Sequence, residues 1–305
     1  MARQQTEGDE LFDVKNNYYI GNYQQCINEA QKSKVTSLEL VLERDVFMYR
    51  AYIAQGKYRV LFDEIKPNSN KKLQHLRMLA DYKANPAKRP QIIASLEKAA
   101  PTDSEAADDN DLYRLICATI YYEEGNLDSA LEYCFYTDNL ECKALSVQIY
   151  YQLHRPDLAR IEMKKMVEKD DDATITQLVQ AWVYIFTGGE KIQDAYYIYQ
   201  ELVDKYGETS ALLNGQAVAF ISQGKYKEAE EALQDALGKD PNDPDTLINM
   251  IVLSHHQGKS DVANRYLSQL KDLSPNHRYV KNYEQKKLDF QRFCKSYAPS
   301  VTASA

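Results

Sequence analysis

The residues best equipped for chemistry are few, and their spacing does not suit it. Gly188 and Gly189 followed by Lys191 suggest a phosphate loop, but the GxxxxGK[ST] spacing is missing and no strand pattern precedes them, so an expanded turn is predicted. His255 and His256 are adjacent. On a helix they point about 100° apart and cannot chelate one metal as an i, i+4 pair would. Asp170, Asp171 and Asp172 precede a helix predicted to start near Thr174, where the macrodipole favours negative charge, so they read as helix capping and not as a metal cage. Cys26, Cys117, Cys134, Cys142 and Cys294 are odd in number with no CxxC spacing, which predicts buried free thiols and no zinc site or disulfide framework. No HExxH or GxSxG motif and no Cys-His pairing is present. The sequence therefore predicts no catalytic residue, no metal and no cofactor.

The elements that would position any site are helical. Only 11 Gly and 9 Pro among 305 residues, with long stretches of Ala, Leu, Glu, Gln and Lys, favour helices over a turn-rich β design. The longest apolar run, AWVYIF at 181–186, is far short of the roughly 20 residues of a membrane span. A net charge of −8 argues against a nucleic-acid surface and against direct docking on anionic lipid, so any membrane association is expected to be indirect, through a partner. No secretory, prenylation or retention signal is read at either end, and a cytoplasmic location is expected.

The tetrapeptide QGKY stands at 55–58 and again at 223–226, and QGK returns at 257–259. A spacing of 34 residues separates Gln223 from Gln257, Ala229 from Ala263, Leu233 from Leu267 and Pro241 from Pro275. That is the length of a tetratricopeptide repeat, a helix, a turn and an antiparallel helix. Small residues such as Ala217 and Ala229 belong where the two backbones come closest. Gly224 and Gly258 follow the first helix, where a positive φ reverses the chain, while Pro241 and Pro275 end the second. Asp243 is placed to cap the next helix, with Pro244 in its first turn. Tyr52, Tyr121, Tyr150 and Tyr184 take the aromatic slot of the first helix, and Tyr23, Tyr58 and Tyr226 the slot after the turn, which makes the 24 tyrosines structural.

The predicted fold class is all-α, a tetratricopeptide-like right-handed α-solenoid of helical hairpins, seven to nine of them, with a C-terminal capping helix. A single domain is expected over 9–297, between flexible ends at 1–8 and 298–305. The clearest repeats are 111–140, 141–173, 174–209, 210–243 and 244–277, and the cap is placed at 279–297, where Val280, Tyr283, Phe290, Phe293 and Tyr297 keep a helical period interrupted by Lys286 and Lys287. The frame blurs over Ala84–Asp111, and a loop is predicted at Pro101–Asp111.

More specific than the repeat are the strings DELFDVKNNYYIGNYQQCINEA, ERDVFMYRAYIAQGKY, DEIKP, TGGEKIQDAYYIYQE, LLNGQA, TLINMIVLS, NRYLSQLKD and YAPS. Together, in order from about Asp9 to Pro299, they resemble the epsilon subunits of coatomer, the coat of COPI vesicles. The departures fall in the first eight residues, in Ala84–Asn110 and in the last few. The resemblance implies a non-enzymatic coat subunit whose curved solenoid grips the C-terminal domain of the alpha subunit, with beta-prime and other subunits reached through alpha. It further implies peripheral placement on Golgi membranes and COPI vesicles, serving Golgi-to-ER and intra-Golgi transport.

In the usual repeat geometry the concave face is lined by fixed positions of the first helices, here Ile175, Leu178, Trp182 and Ile185, then Asn214, Val218 and Ile221, then Ile248, Val252 and His255. Such residues serve either as ordinary inter-repeat core or, taken as one stripe, as a surface covered by a partner. Two other classes stay open. A carboxylate-clamp co-chaperone or other peptide-binding adaptor needs Lys, Arg and Asn converging on the concave face, and an enzyme needs residues that the sequence does not offer.

Overall fold

Chain reversal sets the architecture. In the computed structural model, which describes residues 9–98 and 111–297, Gly224 and Gly258 both have φ of 74°, and the amides that follow bond back to Phe220 and Ser254. A side chain at either glycine would be strained by that φ alone, because an added Cβ would meet no neighbour within 4 Å. His154, φ 56°, takes the same left-handed seat between two other helices. Asp243 caps its helix through Oδ2, which accepts from the Thr246 amide at 3.1 Å, with Pro244 in the first turn.

The contacts divide the chain into two compact units, 1–207 and 208–305. In the first, the hairpins are α1 (Phe12–Tyr19) with α2 (Tyr23–Lys32), α3 (Leu38–Ala54) with α4 (Tyr58–Glu64), and α5 (Lys71–Ala84) with α6 (Arg89–Lys98). They continue with α7 (Asp111–Glu124) and α8 (Leu127–Phe135), α9 (Leu140–Gln152) and α10 (Pro156–Lys169), and α11 (Thr174–Thr187) and α12 (Lys191–Tyr206). The second unit holds α13 (Ser210–Ser222) with α14 (Tyr226–Lys239), α15 (Pro244–His256) with α16 (Ser260–Leu273), and α17 (Arg278–Tyr297). Among the described residues there is no strand, and no helix is long and apolar enough to cross a membrane.

The core follows the repeat logic. Ala217 and Ala229 are both fully buried where α13 meets α14, so a larger side chain at either would separate the two backbones. Ala130, Ala159, Ala195 and Ala263 hold the same position in their own hairpins.

Some expectations need correcting. The aspartate triplet does not cap α11: Ala173 occupies the N-cap position, and Asp170 instead accepts from the Ala173 amide, closing the preceding turn. Four cysteines are buried, but Cys294 is exposed on α17. The helix expected to cap the last repeat is present as α17, which buries Val280 against the α15–α16 cluster and leaves its later turns open to solvent. The predicted loop at Pro101–Asp111 lies outside the described residues, apart from Asp111, which begins α7.

Candidate partner-binding face of the first unit

The first helices of the first unit touch in succession, α1 to α3, then α5, α7, α9 and α11, and α11 returns to α1. The row of first helices is therefore closed. Thr174 at the start of α11 donates its hydroxyl to Asn16 Oδ1 at 2.7 Å, and Phe12 packs near Tyr206, ring centroids 6.4 Å apart. Both contacts join the beginning of the unit to its end.

A buried ion pair ties the closure from another side. Arg50 on α3 holds Glu141 in the first turn of α9 with both terminal nitrogens, Nη1 at 2.9 Å from Oε1 and Nη2 on Oε2. Their side chains are only 11% and 13% exposed. Tyr19 at the end of α1 donates its hydroxyl to the same Oε1 at 2.9 Å, and the Arg50 guanidinium lies 4.5 Å from the Tyr18 ring centre and 5.1 Å from that of Phe47. Burial, and next the Glu141 carboxylate, push the Tyr19 phenol well above its ordinary range, so it stays a donor. For Arg50, burial opposes the charge, but the Glu141 carboxylate together with the Tyr18 and Tyr19 phenols outweighs it and keeps the guanidinium protonated.

Two cavities of about 290 Å³ each open on these first helices. One lies among Tyr18, Arg50, Leu76, Leu79, Leu112 and Leu115. The other is aromatic, lined by Tyr122 of α7, by Val147, Gln148, Tyr151 and Gln152 of α9, and by Trp182 and Phe186 of α11. Phe186 is 67% exposed and stacks on Tyr151 with ring centroids 4.0 Å apart. The Tyr151 hydroxyl is buried with no hydrogen-bond partner among the described residues. An entering group can bury aromatic surface here.

The groove residues named from the sequence have separate fates. In the first unit Leu178 is buried, while Ile175, Trp182 and Ile185 are half-buried. Trp182 does two things: it packs against the cluster of Val147, Met163 and Val179, and it lines the aromatic cavity. In the second unit Val218, Ile221, Ile248 and Val252 are half-buried and His255 is exposed at the end of α15. Asn214 is not a groove residue. It is 7% exposed, donates to Asp243 Oδ2 and Thr246 Oγ1 at 3.0 and 2.7 Å, and accepts from Asn249 at 3.0 Å, so it fastens α13 to α15. The sequence missed Phe186, Tyr151 and Tyr122. Phe186 lies one turn after Trp182 on the same helix, and that i, i+4 pair was the available signal. Arg50 and Glu141, 91 positions apart, offered none.

Comparison with known proteins accords with this architecture. The family model described as coatomer epsilon subunit matches residues 7–298. Coatomer subunit epsilon-1 of Arabidopsis thaliana is 39% identical over 292 residues, covering 95% of this chain and 98% of that protein. Coatomer subunit epsilon of Caenorhabditis elegans is 38% identical over 287 residues, covering 93% and 97%. Among solved structures, a tetratricopeptide repeat protein from Parabacteroides merdae superposes with a TM-score of 0.58 at 13% identity, over 90% of this chain and 97% of that one. A chain of the APC/C hetero-tetramer Cut9-Hcn1 superposes with a TM-score of 0.60, also at 13% identity, over 94% of this chain and 57% of that one. At such identities these two speak for the fold alone.

Proposed function

From the premise that the chain belongs to the coatomer epsilon subunit family, whose members are structural coat components and not enzymes, we propose that its first unit grips the C-terminal domain of the coatomer alpha subunit. Through alpha it joins beta-prime and the remaining subunits on Golgi-derived vesicles, and its association with membrane is indirect. The observation that carries this reading is the closed row of first helices with an open aromatic cavity on it. Closure holds the cavity walls in place before a partner arrives, so little ordering entropy is lost on binding. Aromatic anchors in such a pocket are the usual energetic centre of an interface.

The carboxylate-clamp alternative needs free cations on this face. Arg50 is held by Glu141 and Lys83 by Glu123, so the two basic residues of the neighbouring cavity are already paired. The test is co-purification with the C-terminal domain of an alpha-type coat subunit. Phe186→Ala, at an exposed ring, should leave the helical content intact and weaken that complex by about 2 kcal/mol. A Phe186→Ala, Tyr122→Ala chain that binds with unchanged affinity would remove the aromatic cavity from the interface.

A further inference from the structure

Helix α17 has more apolar surface than its own unit covers. Its first two turns are anchored, with Val280 buried, Tyr279 against the α15–α16 cluster, and Lys271 of α16 paired with Glu284 and 5.1 Å from the Tyr283 ring centre. Beyond that the helix runs exposed: Tyr283, at the edge of the anchored part, is 37% accessible, and Phe290, Phe293 and Tyr297 are 69%, 53% and 83% accessible. Tyr283, Phe290 and Tyr297 recur every seven residues, and Phe293 lies three beyond Phe290. With Tyr283 at an a position, the aromatic residues fill three a positions and one d position of a coiled-coil seam, and Lys286 falls at the other d. The helix carries six cations, among them Lys286, Lys287, Arg292 and Lys295, against Glu284 and Asp289, whereas the whole chain is at −8.

We infer that α17 is a docking helix for an acidic helical segment of another protein, which pairs along the Tyr283–Phe290–Phe293–Tyr297 seam and sets carboxylates opposite Lys286 and Lys287. The seven-residue period specifies a helix as the occupant, since a seam that narrow is matched by a second helix and not by a flat surface. Charge excludes the other occupants. A parallel, in-register pairing of two copies would set Lys286 against Lys286 inside the seam and two helices of the same +4 charge side by side. On a bilayer, Arg278, Lys281, Arg292 and Lys295 would point away from the aromatic face, but Lys286 lies on that face and Lys287 at its edge, where they would enter the apolar layer. The strongly acidic remainder of the chain opposes approach to anionic lipid as well. The inference rests on the second unit alone and does not depend on the grip assigned to the first.

The probe is a fluorescent peptide of about four heptads with Leu at a and d and Glu at e and g, titrated with the full chain and compared with its Lys counterpart. The acidic peptide should bind at least about tenfold tighter than the basic one, and its affinity should fall with added salt. Phe290→Ser, Phe293→Ser should abolish binding while circular dichroism shows the rest of the chain folded. Lys286→Glu, Lys287→Glu keeps the aromatic seam and should reverse the preference between the two peptides. Equal affinity for both peptides overturns the inference. So does a dimer in sedimentation that the double serine variant abolishes, or binding to phosphatidylserine vesicles by a chain that ignores the acidic peptide.

Discussion

Replacing Glu141 with Ala tests the closure of the first unit at its tie point. The change leaves the Arg50 guanidinium buried without its carboxylate and the Tyr19 hydroxyl without its acceptor. Two unit charges about 4 Å apart interact by about 4 kcal/mol at an effective dielectric near 20, and removing one partner of a buried pair costs about 3–5 kcal/mol. The Tyr18 and Phe47 rings still flank the cation, so the lower figure, about 3 kcal/mol, is expected. Trp182 is the sole tryptophan and lies on α11, so its emission reports the first unit by itself. With a urea slope of about 3 kcal/mol/M, the midpoint followed by that emission should fall by about 1 M. Hydrogen exchange over Phe12–Tyr19 should accelerate at the same time, because α1 loses its tie to α9. Arg50→Met combined with Glu141→Leu replaces both charges with apolar groups and should recover most of the loss. A Glu141→Ala midpoint within about 0.3 M of the parent, or a double variant no better than the single one, would refute the assignment of this pair as the closure.

Trp182→Ala should lower the stability of the first unit by about 3 kcal/mol, since the ring packs in the cluster formed by α9, α10 and α11. An unchanged thermal midpoint by circular dichroism would mean that the ring serves the cavity alone. Gly224→Val should cost about 1–3 kcal/mol through strain at φ 74°, with no clash involved, and hydrogen exchange in α13 and α14 should register it; unaltered protection there would contradict the turn geometry. A thiol reagent at pH 8 should find one prompt group, Cys294, in the folded chain and five after unfolding without reductant. Burial pushes the Cys26 and Cys117 thiols up to about 12, so at pH 8 they stay protonated and unreactive until the fold opens. A shortfall of two after unfolding would reveal a disulfide.

What the sequence determined by itself is what repeats locally. The step of 34 residues, the glycine after most first helices, and Asp243 with Pro244 at a helix start act within a few residues of the chain, and helical hairpins form around those signals. Helices α11–α12, α13–α14 and α15–α16 lie within 174–209, 210–243 and 244–277. The tertiary structure decided three further things. Closure of the first unit depends on the sum of small rotations from hairpin to hairpin, a quantity no single repeat records, and only at closure does Arg50 meet Glu141. The same packing decided that Asn214, whose position matched the groove, turns inward to Asp243 and Thr246, because a buried amide must find partners and those two stand at the start of α15. It also left the aromatic residues of α17 uncovered past the first two turns: the heptad spacing was in the sequence, but whether a seam faces its own core or solvent depends on what packs against it.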